Sequence, residues 1–487
     1  MLAFFVLMTQ YTYMLKNELS PIVYGIETEY SCMITLPGNV VHEIVGSCHS
    51  VDAKLGLYTE PPDKGTSNIP QSAVKDALEE MGILRVPGTG MMSNGSRFYF
   101  DPSGPEYATP ETTTAEEATH RTFDGDEIVL RMFEAFRRAE IIEGYQFNRR
   151  VIDHNRSSRG IHLNTTTTLA SGEELPSGVI ERIAALNVVK GALFGSGGLL
   201  LDDKGRTQYH HSPRLSVTSE LAAKHANYRK RPLVRVPFKS DGQLRRMETV
   251  TSDALNFAWP IRASLVATNA LTTLLEMGYA DRLPVLRNPT KAAGVVGRYG
   301  NKNLIAVHEG GEFVGRKPLD VLRDICEVAL DVDVIEGHLD DESDQVLGEI
   351  IEVADKMSFD ESSVVGQVES VARWVAMKKK MEKDGVELDS EKMCRFDYAW
   401  DWIGGGIAET VRNKNLAGWL GFSKKSSSLD REKRMVIPPA DTRALPRGQQ
   451  IEKDKGVNRS TWEQIDFGYD NDRTSYLHPL AVEEPKI

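Results

Sequence analysis

The sequence predicts an α+β fold built on an antiparallel sheet. Alternating, strand-like segments and segments of helical periodicity are mixed along the chain, and the regular strand–helix–strand succession of a parallel sheet is absent. Near 145–170, a strand, a polar turn (HNRSSRG) and a second strand follow one another directly.

The elements follow in order. Residues 22–32 (IVYGIETEYSC) form the first strand. Residues 33–93 are rich in turn formers, among them Pro61-Pro62 and Gly88-Thr89-Gly90, around one amphipathic helix near 71–83. Loops of this length serve function or move. Residues 96–101 (SRFYFD) alternate as a strand, and 124–139 give an amphipathic helix. A helix near 178–193 runs into Gly195–Gly198. Pro260 opens a strong helix that Gly278 closes, the usual asymmetry of Pro at the start and Gly past the end. Residues 317–385 are mostly helical. After 390 come short helices, the Pro/Arg-rich VIPPADTRALPRG and a last strand near 462–467.

At 487 residues the chain predicts one large domain and a smaller one. Its net charge of −12 and pI near 5.5 argue against a nucleic-acid partner, which requires a basic surface. Cys32, Cys48, Cys326 and Cys394 form no CxxC pair and fit neither a zinc site nor a disulfide framework, so a reducing, cytoplasmic location is expected. Cys48-His49 pairs a nucleophile with a base, but neighbours on a strand face opposite ways. The apolar run 2–8 has no preceding basic residue and no cleavage site, and is too short to span a membrane. Residues 1–21 are therefore read as an extension, with Met14 a plausible initiator.

Two strands carry polar groups that are costly to bury without a purpose. In YGIETEY, Glu27 and Glu29 are two apart and share one face. Two like charges side by side repel, and a cation relieves them. In SRFYFD, Arg97, Tyr99 and Asp101 share a face, and a Pro/Gly turn brings Glu106 behind Asp101. Carboxylates with a tyrosine oxygen are hard ligands suited to Mg²⁺. The plainer reading of each strand is a solvated sheet face. Gly160-Ile-His-Leu-Asn164 puts His162 and Asn164 on one face, where a lone histidine is commonly structural. Gly195–Gly198 lacks the Lys-Ser/Thr of a phosphate loop. Arg229-Lys230-Arg231, Arg443 and Arg447 either meet phosphate or are solvated, and Trp462 either stacks on a base or belongs to the core.

Four segments resemble the family of the Pup ligase and the depupylase/deamidase, relatives of the glutamine synthetase and carboxylate–amine ligase group. They are GIETEY at 25–30, NGSRFYFDPSGPEYATPE at 94–111, TRALPRG at 442–448 behind Pro438-Pro439, and TWEQIDFGYDNDRT at 461–474. Weaker similarity in GIHLN and DYAWDWIGGG extends the likeness over about 22–480.

The resemblance implies a glutamine synthetase-like antiparallel cradle flanked by helices. Residues 22–385 would form the large catalytic domain, and 386–487 a small domain completing the nucleotide site. It implies ATP and Mg²⁺ as cofactors. Glu27, Glu29, Tyr99 and Glu106 would hold the metal, and Arg97, Thr109, His162, Arg443 and Trp462 the nucleotide. Asp101 would be the catalytic carboxylate, acting as base toward a lysine amine in a ligase or in attack on the isopeptide bond in a depupylase. The implied partners are a small Pup-like modifier and its conjugated targets, with a link to a bacterial proteasome, and neither nucleic acid nor membrane. Two departures bear on substrate recognition: the family's His-Glu-Asn stands here as His162-Leu163-Asn164, and its Leu-Ser-x-Arg as Leu215-Ser216-Val217-Thr218.

The direction of reaction is divided. GIETEY is closer to the ligase, which would form the bond through a glutamyl phosphate. Pro110-Glu111 and the 69 residues between Glu27 and Arg97 are closer to the depupylase. The balance favours cleavage of the isopeptide bond. A small-molecule carboxylate–amine ligase and an inactive nucleotide-binding scaffold are the alternatives of other classes.

Overall fold

The computed structural model describes residues 19–38, 40–43, 71–86, 89–101, 104–150, 152, 158–169, 175–202, 204–224, 231–235, 244–414, 428–453, 457–460, 464–467, 472–475 and 480. The fold is α+β. Five strands, β1 (Tyr24–Glu29), β2 (Arg97–Asp101), β3 (Gly104–Ala108), β4 (Ile161–Thr167) and β5 (Arg245–Thr249), form one sheet in the order β5-β4-β1-β3-β2. Every neighbouring pair is antiparallel. Among the described residues the one parallel pairing is a short one, Glu220–Ala223 beside Pro232–Arg235.

One face of this sheet is apolar. Tyr24 and Ile26 of β1, Ile161 and Leu163 of β4 and Met247 of β5 are buried in the main core. Helices α1 (Ala115–Arg138) and α2 (Ala258–Glu276) pack against it. Helix α1 starts at Ala115 rather than at 124, because Thr114 caps it by accepting the Glu117 N–H at 3.2 Å. Glu342 also accepts the Ala115 and Glu116 N–H groups at 2.9 and 2.8 Å, placing a carboxylate at the positive end of the helix dipole. The sequence hid this start because the first turns bury polar groups, Thr119, His120, Arg121, Thr122 and Asp124, and so lack apolar periodicity. Gly125 lies inside the helix because a Cβ there would run into the Tyr107 ring of β3. Helix α2 starts two residues before Pro260, and Gly278 at φ +85° ends its final turn.

The chain leaves β1 at Tyr30 and enters a second antiparallel sheet, where Ser31–Leu36 lies between Val40–Glu43 and Gly144–Asn148. The two strands expected around the polar turn at 145–170 therefore join different sheets: Gly144–Asn148 pairs with Ser31–Leu36, and β4 pairs with β1. A second core under this sheet holds Tyr30, Phe133 and Phe147, with the Phe133 and Phe147 rings edge to face at 4.4 Å.

Toward the C-terminus, α3 (Glu369–Asp384) and α4 (Glu391–Trp400) pack together around a buried polar network. Arg373 donates to Asp397 at 2.8 Å and to Asp401 at 3.0 and 2.9 Å, and Arg150 pairs with Asp397 as well. Glu369 accepts from Asn256 Nδ2 at 2.9 Å and from Trp400 Nε1 at 3.0 Å. The DYAWDW stretch thus supplies the two aspartates and the tryptophan that fix this region to the loop ahead of α2. The C-terminal strands Val457–Ser460, Gln464–Phe467 and Asp472–Ser475 form a separate antiparallel sheet.

Arg373 is 1% exposed, so Arg373→Met leaves two buried aspartates short of their cation. Breaking a buried pair from one side costs about 3–5 kcal/mol. The variant is expected to lose that much in denaturant unfolding; unchanged stability would show that the network carries no such weight.

Candidate active site

The opposite face of the central sheet is polar. Strand β1 presents Glu27 and Glu29 to it, while Ile26 and Thr28 point to the other side by the two-residue alternation of a strand. Antiparallel register then decides what each glutamate meets. Glu29 lies opposite Glu106 of β3, and Glu106 opposite Tyr99 of β2. Glu27 lies opposite His162 of β4 on one side and Ala108 on the other, with Arg97 beyond Ala108. The structure therefore brings Glu27, Glu29, Tyr99, Glu106, His162 and Arg97 to one face.

The glutamates are largely buried, and their neighbours set their charge states. Tyr99 donates its hydroxyl to Glu106 at 2.5 Å. Burial, and then Glu27 and Glu29, push the Glu106 carboxyl well above its usual range. Burial and Glu106 likewise raise the Tyr99 hydroxyl. Glu29 accepts the Gly160 N–H. Arg97 stacks over the Tyr99 ring, 3.8 Å from its centroid, and donates Nε to the Thr89 carbonyl at 2.7 Å. Glu27 behaves oppositely to Glu106: burial raises it, but Arg246 and His162 outweigh burial and hold it at about 2. His162 is driven well above its usual value, since Glu248 and Glu27 overcome the burial that opposes its charge.

Sequence reasoning missed Glu248, Arg246 and Arg235. Among the described residues, Glu27, His162 and Glu248 are the one group of three acids or histidines whose ligand atoms all lie within 4.8 Å of one another. His162 Nδ1 is 3.0 Å from an oxygen of each glutamate. Arg246 bridges the same two carboxylates, at 2.5 Å to Glu27 and 3.1 Å to Glu248, and Arg235 also pairs with Glu248. A signal was present, because RRMET alternates as GIETEY does, with Arg246 and Glu248 two apart.

The remaining expected residues lie as follows. Asp101 closes β2 opposite Gly104, two positions beyond Tyr99, and its side chain lies outside the described residues. Thr109 is buried, its hydroxyl accepting the Ile26 N–H at 3.0 Å, so it ties the end of β3 to β1. Arg443 donates Nε to Glu111 at 2.8 Å, and Arg447 reaches the same carboxylate at 2.6 Å. Trp462 lies outside the described residues. Of the four cysteines, Cys48 also lies outside them, while Cys32, Cys326 and Cys394 form no disulfide among the described residues.

The donor set suits a divalent cation with a polyphosphate. Buried carboxylates and a phenolic oxygen are hard donors of the kind Mg²⁺ takes, and His162 adds a nitrogen that Mn²⁺ tolerates better. Arg97, Arg246 and Arg235 offer planar donors matched to phosphate oxygens.

A family model described as Pup-ligase protein matches residues 22–466. The depupylase of Acidothermus cellulolyticus is 22% identical over 495 residues, covering 94% of this chain and 94% of that protein. The Pup–protein ligase of Xylanimonas cellulosilytica is 25% identical over 395 residues, covering 76% of this chain and 81% of that protein. Among solved structures, the ligase PafA in complex with the prokaryotic ubiquitin-like protein Pup superposes with a TM-score of 0.72 at 17% identity, covering 96% of this chain and 90% of that one. The Pup ligase PafA in complex with ADP gives 0.67 at 19%, covering 85% and 91%. At these identities the superpositions establish a shared α+β fold.

Glu111 gives a test of how the TRALPRG segment is held. Burial raises its carboxyl, but Arg447 and Arg443 outweigh burial and lower it from 4.5 to about 2. Between those values the unfolded chain binds the extra proton. The group's contribution, about 3 kcal/mol by linkage, is therefore complete above pH 4.5 and lost as pH falls toward 2. Glu111→Gln is expected to destabilise the protein at pH 7, with the gap to wild type narrowing below pH 4.5 and closing as pH falls toward 2. A gap independent of pH in denaturant titrations would refute this assignment.

Proposed function

The chain belongs to the Pup-ligase family and is an enzyme of it, a depupylase or a Pup–protein ligase, and we propose that it cleaves the isopeptide bond between a Pup-like modifier and a target lysine. One observation carries the site: the registers of β1 with β3 and β4 gather Glu27, Glu29, Glu106, Tyr99 and His162 on a single sheet face. We place Mg²⁺ and the phosphates of ATP on that face. Glu27, Glu29, Tyr99 and Glu106 would hold the metal with Glu248 and His162 adjoining, and Arg97 would meet phosphate. Arg443 and Trp462 would complete the nucleotide side. When bound, the metal would supply positive charge that polarises the modifier's side-chain carbonyl, and in the ligase direction the nucleotide would supply the phosphoryl group that activates a free carboxyl.

The chain's own residues do the rest. Asp101, two positions beyond Tyr99 at the end of β2, acts on the modifier's terminal side-chain carbonyl either as base toward an attacking water or as nucleophile, in which case water then hydrolyses the acyl–Asp101 anhydride. In the water route, oxygen bonds to that carbon, the C–N bond breaks, and the lysine amine leaves carrying a proton. On the polar face the carboxylates of Glu27, Glu29 and Glu106 are held by hydrogen bonds and ion pairs before substrate arrives, which limits reorganisation during the reaction.

The interval of 69 residues between Glu27 and Arg97 supports the cleaving direction, because it is longer than the ligase pattern and approaches that of the depupylase. The ligase reading is favoured instead by the GIETEY strand. In that direction Asp101 would take a proton from the attacking lysine.

Incubation with a Pup-linked substrate, ATP and Mg²⁺ tests the direction. Release of the free target protein is expected, whereas conjugate formation without cleavage would overturn the depupylase reading. Asp101→Asn is expected to lower turnover by about 100-fold or more while leaving nucleotide affinity nearly unchanged. A variant that keeps its rate would remove Asp101 from the chemistry.

A further inference from the structure

The two halves of the polar face are neutralised differently. Glu106 and Glu29 take neutral donors, the Tyr99 hydroxyl and the Gly160 amide. Glu27 and Glu248 instead have a guanidinium or imidazole nitrogen against each of their four oxygens. His162 Nδ1 lies 3.0 Å from Glu27 Oε2 and 3.0 Å from Glu248 Oε1. Arg246 takes the other pair, Nη1 to Glu27 Oε1 at 2.5 Å and Nη2 to Glu248 Oε2 at 3.1 Å. Arg235 Nη1 engages Glu248 Oε1, the same atom that faces His162. A divalent cation entering this group meets carboxylates already satisfied and two permanent positive charges beside them.

We infer that Arg246 and Arg235 guard the Glu27–His162–Glu248 group: they exclude a free divalent cation while no nucleotide is bound, and release the carboxylates when polyphosphate draws the two guanidiniums away. This rests on reading the face as a nucleotide–metal cradle. In the exchange each guanidinium passes from carboxylate to phosphate, and any proton on His162 Nδ1 leaves to solvent as the metal enters. Guanidinium pairs with phosphate as well as with carboxylate, and a polyphosphate brings more negative charge than the glutamates it relieves. Arg246 has room to move, its side chain being 46% exposed while Glu27 and Glu248 are 11% and 5% exposed. The swing therefore falls to the arginine and the ligands stay in place. The metal then enters as its nucleotide complex, which keeps the site from filling with a cation that has no phosphate to act on.

The test is a calorimetric titration of Mn²⁺ into the full chain without nucleotide, with thermal unfolding to show that each variant is folded. Arg246→Gln and Arg235→Gln, made separately, are each expected to bind free Mn²⁺ about ten-fold more tightly than wild type, since each removes a like charge beside the group. Adding Glu248→Gln to Arg246→Gln should erase that gain. ADP should tighten Mn²⁺ binding in wild type by a larger factor than in Arg246→Gln. If both folded arginine variants bind free Mn²⁺ no more tightly than wild type, the guarding role is overturned, even where wild type binds Mn²⁺ with ADP. If wild type binds no Mn²⁺–ADP at all, the cradle reading itself fails.

Discussion

The register of β1 against β3 and β4 is the constraint on which the site depends. A strand shows alternate residues to alternate faces, so a slip of one position would bury Glu27 and Glu29 against α1 and send Ile26 to the polar side. The register is pinned at both ends. Tyr24 and Thr112 exchange backbone bonds at 2.8 and 3.0 Å, the Thr109 N–H donates to the Ile26 carbonyl at 2.9 Å while the Thr109 hydroxyl accepts the Ile26 N–H, and the Glu29 N–H donates to the Gly160 carbonyl at 3.1 Å. These contacts put Glu106 opposite Glu29 and His162 opposite Glu27. The apolar residues beneath supply the burial that makes any other register costly.

Burying several carboxylates on one face creates an electrostatic problem that the fold solves unevenly. Glu27 keeps its charge because His162 and Arg246 lie beside it. Glu106 is raised because burial, and then Glu27 and Glu29, outweigh His162 and the Tyr99 hydroxyl, which pull it down. Two carboxyls on one sheet face thus shift in opposite directions, each set by its own neighbours. The same device recurs away from the face. Asp124, inside α1, takes Arg434 at 2.7 Å, and Arg121 donates to the Ile437 carbonyl at 2.8 Å, so the buried polar turns of α1 hold the segment that leads to TRALPRG. Glu111, just past β3, holds that segment through Arg443 and Arg447.

Much of the site was legible locally. YGIETE and RFYFD announce their polar faces by alternation alone, and both form strands of the same sheet. The helix starting at Ala115 was read too short because its first turns bury His120, Arg121 and Asp124, which carry no apolar period. RRMET was passed over although Arg246 and Glu248 share a face by the same rule, since an arginine beside a glutamate reads as a solvated pair until its partner strand is known.

The sequence by itself determined the α+β class, the acid-bearing faces of β1 and β2, and the membership in a family carried by GIETEY and NGSRFYFDPSGPEYATPE. These are local properties, fixed by a two-residue period and by short runs of residues. Only the tertiary structure decided which groups meet across that face. Arg246 reaches Glu27 over a separation of 219 residues, and His162 does so over 135. No periodicity records such a pairing. It follows from the order in which five strands lie side by side, which packing of the whole chain selects.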